Sequence, residues 1–263
     1  MADINGAQIR QKLLGMLDPN NTMETAGIFA AVEKEFGMVG RDPELKRAIL
    51  TLFHDLICSG QVAWGADSGG SKPALCFVTD RGRETLKHLD RDPMNRDGYL
   101  EYLRKQMGLG PIAKAYVEEA LKTYAANCYK ATAVMIGTAA ERMALDLRDA
   151  IVSRLQALGR SPRKQLQTWV IRTVLDEIQA TISQALESAI KAGKTTELVH
   201  LSELFAYNWP AMSHMIRAMR NDAGHPVSIE PVTQEDVHAA LLTFPHHARI
   251  ANDVINWLAT AQL

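Results

Sequence analysis

Three side chains able to act on a phosphodiester lie close together near residue 220 of this 263-residue chain. Arg220 and Asn221 are adjacent, and His225 follows after three residues, directly before Pro226. A guanidinium can hold a phosphate by a forked, charge-assisted contact and can stabilise negative charge that develops in a transition state. An imidazole can move a proton at neutral pH, and an amide can orient either group. These groups fit the cleavage of RNA, because the 2′-hydroxyl of the substrate is itself the nucleophile and neither a metal nor a protein nucleophile is required.

The surrounding sequence predicts a helix that ends just before His225. Its apolar residues recur at helical spacing and define a buried face, made of Leu201, Leu204, Phe205, Met212, Met215, Ile216 and Met219. The opposite arc gathers Ser213, His214, Arg217, Arg220 and Asn221. Gly224 is a natural helix terminator, and the proline after His225 favours an extended backbone there. We therefore expect the turn to bring the imidazole back beside Arg220 and Asn221.

Three further side chains are candidates for binding RNA or supporting the site. His214 and Arg217 lie on the polar arc of this helix. Glu141 falls on a helical arc with apolar residues (Val134, Leu145 and Val152), where a carboxylate needs a partner. It can orient one of the two arginines in the site, or it can form an ordinary salt bridge elsewhere.

The region from residue 111 onward predicts helix after helix and no strand. The candidate helices cover residues 111–127, 129–156, 162–192, 200–221 and 233–261. Thr233, with Asp236 three residues on, forms a capping-box-like start for the last helix. Five helices of these lengths predict an up-and-down bundle.

The arginine–histidine pattern in this setting resembles the HEPN superfamily (higher eukaryotes and prokaryotes nucleotide-binding). Arg220-Asn221-x-x-x-His225 matches the R-x4–6-H pattern of HEPN domains, including the polar residue that often follows the arginine. The stretches from Tyr116 to Leu121 and from Tyr129 to Glu141 are similar to the first helices of that fold. The resemblance covers about residues 111 to 262, and it places the motif at the end of the fourth helix of five.

The resemblance implies a metal-independent endoribonuclease that uses Arg220, Asn221 and His225, with RNA as substrate and no cofactor. Many HEPN proteins act in phage defence or in toxin–antitoxin systems, with an antitoxin as partner. The family also implies a composite site, in which two copies of the motif face each other across a homodimer. Other members have lost catalysis and only bind nucleotides or partners. The alternative is therefore a non-catalytic regulator whose bundle serves dimerisation or ligand binding.

The first ninety residues predict three helices followed by a hairpin. Thr22 can cap the second helix, and Asp42 caps the third with Pro43 at its first position. Two strand-like runs, 61–64 and 74–78, flank a polar, glycine-rich loop, and a further helix opens at Thr79. This order resembles a winged helix-turn-helix domain over about residues 4 to 90. Its third helix offers Lys46, Arg47, Thr51 and His54 outward, which is thin support for DNA binding and leaves a protein-docking role open.

These features predict a mainly α protein of two domains. A winged-helix-like domain covers residues 1–90, a linker with one helical turn around residues 99–107 covers 91–110, and a five-helix HEPN-like bundle covers 111–263. The net charge of −1 excludes a strongly basic nucleic-acid-binding chain. The three cysteines include no C-x-x-C pair, and no stretch reaches the length of a membrane helix, so we expect a cytoplasmic protein without a metal site or a membrane partner.

Two other groups of polar residues are given structural interpretations. Arg154, Arg160, Arg163 and Lys164 surround one predicted turn and can track an RNA backbone, although a solvated basic loop is the simpler explanation. His246 and His247 lack the i, i+4 spacing and the acidic partners of a helical metal site.

Overall fold

The computed structural model describes residues 6–37, 42–65, 74–193, 195–224 and 232–263, with the backbone alone for residue 7 and residues 220–224. In these residues the chain is mainly helical and carries one small three-stranded sheet. It divides into two compact units. Unit 1 comprises Met1–Tyr99 with Ala125–Asn127, and unit 2 comprises Leu100–Tyr124 with Cys128–Leu263.

The described residues of unit 1 form four α-helices and the sheet. In chain order its elements are α1 (Gly6–Gly15), β1 (Met23–Glu24), α2 (Thr25–Glu35), α3 (Pro43–Cys58), β2 (Val62–Gly65), β3 (Leu75–Val78) and α4 (Asp80–Lys87). β3 lies in the middle of the sheet and pairs antiparallel with both β1 and β2. In the outer hairpin Val62 faces Val78, and both are buried.

The apolar residues of α1, α2 and α3 enclose the core of unit 1. Ile49 and Phe53 of α3 are buried as the helical spacing predicts, and the ring of Phe29 meets Phe53 edge-on at 5.0 Å between centroids. The predicted cap is confirmed, because the side chain of Asp42 accepts hydrogen bonds from the backbone of Glu44 and Leu45. These contacts fix the direction of α3 and leave its opposite face to solvent.

The turn into α4 depends on close backbone approach. Thr79 caps this helix by accepting from the backbone N–H of Gly82. A Cβ atom at Gly82 would overlap the carbonyl oxygen of Gln61 and crowd Val78. Glycine is therefore required at this position to pack α4 against the hairpin.

Two predictions for the first hundred residues are wrong in detail. Thr22 does not cap α2, because β1 precedes that helix and Glu24 occupies the cap position without a side-chain hydrogen bond. The stretch predicted as a linker contains an 11-residue helix, α5 (Arg96–Gln106). Tyr99, Leu103 and Met107 follow at i, i+4 and i+8 and are all buried, so this stretch packs rather than connecting loosely.

Unit 2 contains the five long helices expected from the sequence. They are α6 (Pro111–Ala125), α7 (Tyr129–Ala157), α8 (Ile171–Ala192), α9 (Thr196–Gly224) and α10 (Gln234–Leu258). α7 packs against α9 and α10, and α8 packs mainly against α9. The capping box at the start of α10 is confirmed, since Thr233 and Asp236 bond each other reciprocally.

The helix predicted over residues 162–192 is broken near its start. A 3₁₀ turn covers Lys164–Gln167, an extended backbone follows at Thr168, and α8 begins only at Ile171. Leu166 is 1% exposed and anchors the turn against the bundle. Trp169, just after it, is 93% exposed. Because Leu166 is buried and Trp169 is exposed, the segment does not form one continuous amphipathic helix face.

Candidate active site at one end of the helical bundle

The direction of α9 decides where the candidate arginine lies. α8 and α9 are joined by only three residues, and the indole N–H of Trp209 donates to the carbonyl of Leu175 at 3.2 Å. At about 1.5 Å per residue, Leu175 and Trp209 lie roughly 25 and 20 Å from that connection. The two helices therefore form an antiparallel hairpin.

The connection between α8 and α9 lies at the end of the bundle where α7 and α10 finish. Ala185 of α8 lines a cleft together with Leu155 of α7 and Gln262, just after α10. Arg154 of α7 also donates from Nε to the carbonyl of Ala261 at 2.6 Å. α9 therefore starts at this end and runs antiparallel to α10.

The last turn of α9 consequently reaches the end of the bundle where α10 begins. Trp209 of α9 and Ile250 of α10 line the same small cavity at mid-bundle. Arg220 lies 11 residues after Trp209 on α9, which is about 16 Å along the helix axis. His238 lies 12 residues before Ile250 on α10, which is about 18 Å along that axis toward the same end of the bundle. The backbone of Arg220 and that of His238 therefore lie at the same level of the bundle.

The predicted catalytic residues lie at the limit of what the structure describes. Arg220 and Asn221 belong to the last turn of α9, which continues to Gly224, so the predicted end of this helix is confirmed within three residues. The side chains of Arg220 and Asn221, and the whole of His225, fall outside the described residues. Their mutual geometry stays a prediction from the sequence.

The arc of α9 that leads to Arg220 is polar, as expected. Phe205, Met212 and Ile216 are buried on the other face. His214 is exposed, and Arg217 is half-buried with its Nε donating to the carbonyl of Ser213 at 3.3 Å. The contact is to the preceding turn of the same helix, so the arginine lies along its own helix surface.

Glu141 is half-buried on α7, where it has an interaction partner of its own. The apolar arc expected around it is not the buried face of the helix. Val134, Leu145 and Val152 are half-buried, whereas the buried face is formed by Thr132, Ala133, Ile136, Gly137, Ala139, Ala140, Met143, Ala144, Leu147 and Ile151. Small residues dominate this face, and they let the neighbouring helices approach closely. The sequence pattern missed it because alanine and glycine carry little hydrophobic signal.

A polar cluster that the sequence analysis missed lies at the Arg220 end of the bundle. We call it the Tyr124 cluster, and it comprises Tyr124 at the end of α6, Tyr129 at the start of α7, and Gln234 and His238 at the start of α10. The hydroxyl of Tyr124 lies 2.8 Å from Nδ1 of His238, and Nε2 of Gln234 donates to the same hydroxyl at 3.5 Å. The rings of Tyr124 and His238 stack at 5.9 Å with an interplanar angle of 27°.

The Tyr124 cluster fixes one nitrogen of an imidazole and leaves the other available. Tyr124 is 2% exposed, while His238 is only half-buried. Depending on the tautomer, either the tyrosine hydroxyl donates to Nδ1 or Nδ1 donates to the hydroxyl, so Nδ1 is engaged in either case. Within the described part of the chain, Nε2 of His238 has no hydrogen-bond partner. The arrangement depends on a contact between residues 114 positions apart, so no local sequence pattern predicts it.

The second histidine of the pair at 246 and 247 is enclosed in the middle of the bundle. His247 is 7% exposed and lines the mid-bundle cavity with Phe205, Trp209 and Met212. Burial lowers the pKa of His247 to about 4, helped by the nearby His246. Its Nδ1 has no hydrogen-bond partner in the described residues. The imidazole is therefore neutral at physiological pH, in line with the structural role expected for it.

The basic turn after α7 borders an open cleft of about 500 Å³. Arg163 pairs with Glu177 at 2.9 Å, and the side chain of this glutamate is 11% exposed. Arg154 is held by the chain carbonyl that follows α10, while Arg160 is exposed at the rim. Two of the arginines thus serve internal contacts, which favours the structural interpretation of this turn.

Neither a metal cluster nor a membrane span is found in the described ranges. No group of three or more His, Cys, Asp or Glu side chains is placed to hold a metal ion there. Of the helices traced in those ranges, none combines the length and the apolar character needed to cross a bilayer. Comparisons with protein-family models, with curated proteins and with solved structures give no match for this chain.

Proposed function

We propose that the protein is a metal-independent endoribonuclease of the HEPN type, whose site is formed by Arg220, Asn221 and His225. The observation that carries this proposal is the placement of the arginine and the asparagine in the last turn of α9, with the histidine directly after the helix. The backbone of Arg220 and Asn221 therefore lies at one end of the bundle in unit 2. The R-x4–6-H resemblance predicts the motif at such a helix end.

The proposed chemistry uses the 2′-hydroxyl of RNA as nucleophile. Arg220 holds the phosphate and stabilises the negative charge that grows on its oxygens in the transition state. His225 moves the proton of the attacking hydroxyl, and Asn221 orients one of the two groups. The products are a 2′,3′-cyclic phosphate and a 5′-hydroxyl. We further propose a homodimer in which two such motifs face one composite site.

The ends of the cleaved RNA test this proposal directly. Fragments made by the purified protein should carry 5′-hydroxyl ends that polynucleotide kinase labels without prior dephosphorylation. Fragments with 5′-phosphate ends would instead indicate attack by water and would contradict the proposed role of the 2′-hydroxyl. The Arg220→Ala and His225→Ala proteins should each make no fragments while keeping the melting temperature of the wild type.

We propose that unit 1 is a winged helix that docks the ribonuclease onto a partner protein. The order of its helices and its antiparallel sheet support this assignment. The exposed face of α3 carries Lys46 and Arg47 as expected, but it also carries Glu44 and Asp55. A face of mixed charge suits a protein partner better than the uniformly negative backbone of DNA.

Exposed apolar side chains on unit 1 favour the same interpretation. Leu50 of α3 is 47% exposed, and Trp64 and Phe77 of the hairpin are 54% and 40% exposed. Large exposed aromatic residues are enriched where proteins bind each other. An antitoxin, which a toxin–antitoxin role would require, is one such protein partner.

The second candidate function is a DNA-binding or protein-interaction regulator without catalysis, in which unit 2 serves dimerisation or ligand binding. The four outward residues of α3, namely Lys46, Arg47, Thr51 and His54, are all exposed and favour it. Electrophoretic shift of duplex DNA separates the two functions. Tight binding that Arg220→Ala leaves unchanged, without RNA cleavage, would select the regulator.

A further inference from the structure

The open cleft of about 500 Å³ in unit 2 has no part in the proposed ribonuclease site. It lies at the end of the bundle where α7 and α10 finish, whereas the backbone of Arg220 lies at the end where α10 begins. Its walls are the end of α7 with the segment 160–166, the second half of α8, and the chain that follows Ala261. Its volume falls within the range of pockets that bind small molecules.

Internal contacts hold the walls of the cleft in place. The backbone N–H of Arg160 donates to the carbonyl of Leu155 at 2.8 Å, and Gly159 supplies the positive φ of 70° that closes this turn after α7. Arg163 ties the following segment to α8 through its 2.9 Å ion pair with Glu177. The bond from Arg154 to the chain carbonyl after α10 fixes the third wall. The cleft is therefore formed before any ligand binds.

Four polar side chains that line the cleft are available to a ligand. Arg160, Ser161, Gln184 and Gln262 are exposed, and none of their side chains has a hydrogen-bond partner within the described part of the chain. Arg163 is the other charged side chain of the lining, and Glu177 neutralises it. The side chains of the lining therefore leave the positive charge of Arg160 uncompensated, which suits a ligand with an anionic group.

The polar groups are of two kinds and lie on different walls. A guanidinium and a hydroxyl are adjacent in the chain at Arg160 and Ser161, whereas α8 presents Thr181, Gln184 and Ser188 at successive turns of one face. A phosphate group has three terminal oxygens and can accept hydrogen bonds from a guanidinium and a neighbouring hydroxyl together. Amides and hydroxyls both donate and accept, so the α8 wall complements the hydroxyl groups of a sugar.

We propose that this cleft binds a small phosphorylated sugar. Arg160 and Ser161 hold the phosphate, and the amides of Gln184 and Gln262 bond the sugar hydroxyls. Leu155 contributes apolar surface against the carbon atoms of the sugar. The described lining residues include no aromatic ring on which a nucleobase could stack, which favours a sugar phosphate over a nucleotide or a single-stranded RNA.

Calorimetric titration of the full chain in a buffer free of phosphate tests the proposal. The ligands are ribose 5-phosphate and glucose 6-phosphate, with ribose and glucose as uncharged controls. We expect at least one of the two phosphorylated sugars to bind and to raise the melting temperature of the protein. The matching sugar without phosphate should do neither, because it lacks the group that Arg160 holds.

Three substitutions at exposed positions locate the binding. Arg160→Gln should weaken binding of the sugar phosphate by about 10- to 100-fold, the range for a hydrogen bond to a charged group. Gln184→Ala should weaken it by about 2- to 10-fold, as for a neutral hydrogen bond. Arg172→Gln is the matched control, because that arginine is also exposed on unit 2 but does not line the cleft, and it should bind as the wild type does. All three variants should melt like the wild type without ligand.

Several outcomes would overturn the proposal. Failure of both phosphorylated sugars to bind the wild type would show that the cleft is not a site for this class of ligand. Equal losses in Arg160→Gln and Arg172→Gln would indicate general attraction to positive charge. Binding of adenosine monophosphate or of a short RNA through Arg160, with neither sugar phosphate bound, would assign the cleft to nucleic-acid chemistry instead. None of these measurements uses RNA cleavage, so they stand or fall independently of the ribonuclease proposal.

Discussion

Acid should destabilise the protein through one enclosed side chain, His247. Burial lowers the pKa of this imidazole from 6.5 to about 4. Below pH 6.5 the unfolded chain binds a proton at this position, while the folded chain does not until the pH falls to about 4. The free energy of unfolding contributed by the neutral imidazole is therefore fully present above pH 6.5 and is lost as the pH falls toward 4.

The size of this effect follows from the pKa difference. One pKa unit corresponds to about 1.4 kcal/mol, so lowering the pH from 7 to 4 should cost about 3 kcal/mol through His247 alone. His247→Leu removes the titrating group and replaces an unpartnered Nδ1 by carbon of similar volume. The variant should be at least as stable as the wild type at pH 7, because an unsatisfied buried polar atom is unfavourable.

Urea unfolding of the wild type and of His247→Leu at pH 7 and pH 4 measures the difference. Tryptophan fluorescence is a suitable probe, since Trp209 lines the same cavity as His247. All other titrating groups are shared and cancel in the comparison, so the variant should lose about 3 kcal/mol less than the wild type on acidification. Equal losses in the two proteins would refute the burial of His247. His246→Gln, at the exposed neighbour, should behave nearly as the wild type.

Two further pairs of substitutions test the packing of each unit by thermal or urea unfolding. Gly82→Ala should destabilise unit 1, because the added Cβ overlaps a backbone carbonyl, whereas Gly27→Ala adds a Cβ to open space on a helix and should stabilise it by about 0.5 to 1 kcal/mol. Equal effects of the two alanines would contradict the close approach at α4. Trp209→Phe removes the indole hydrogen bond to Leu175 and should lower the free energy of unfolding by about 1 to 3 kcal/mol. Tyr207 lies on the same helix and is 81% exposed, so Tyr207→Phe should leave that free energy almost unchanged. A wild-type melting curve for Trp209→Phe would show that the α8–α9 contact does not hold the hairpin.

Local sequence signals predict most of the helices and strands because their causes are local. The Asp42 cap, with Pro43 at the first position, marks the start of α3 at the residue where the structure has it. The Thr233–Asp236 box marks the start of α10 equally well. The break before α8 has a different cause, since it depends on where Leu166 finds a buried place in the folded bundle. No local pattern carries that information.

The candidate site divides in the same way. The helix carrying Arg220 and the polarity of its arc follow from periodicity, so the sequence alone places the arginine at a helix end. The pairing of Tyr124 with His238 cannot be predicted in this way, because it depends on the last turn of α6 meeting the first turns of α10. The sequence pattern predicted the wrong buried face for α7 for a related reason. Close packing on that face is achieved largely by alanine and glycine rather than by large apolar residues.

Incubation of the purified protein with total RNA and transfer RNA in the presence of EDTA tests the central claim most directly. The His225→Ala protein is run beside the wild type under the same conditions. We expect the wild type to cleave equally well with and without EDTA, and the variant to leave the RNA intact at an unchanged melting temperature. Cleavage that strictly requires magnesium, or cleavage by both proteins alike, would contradict the account.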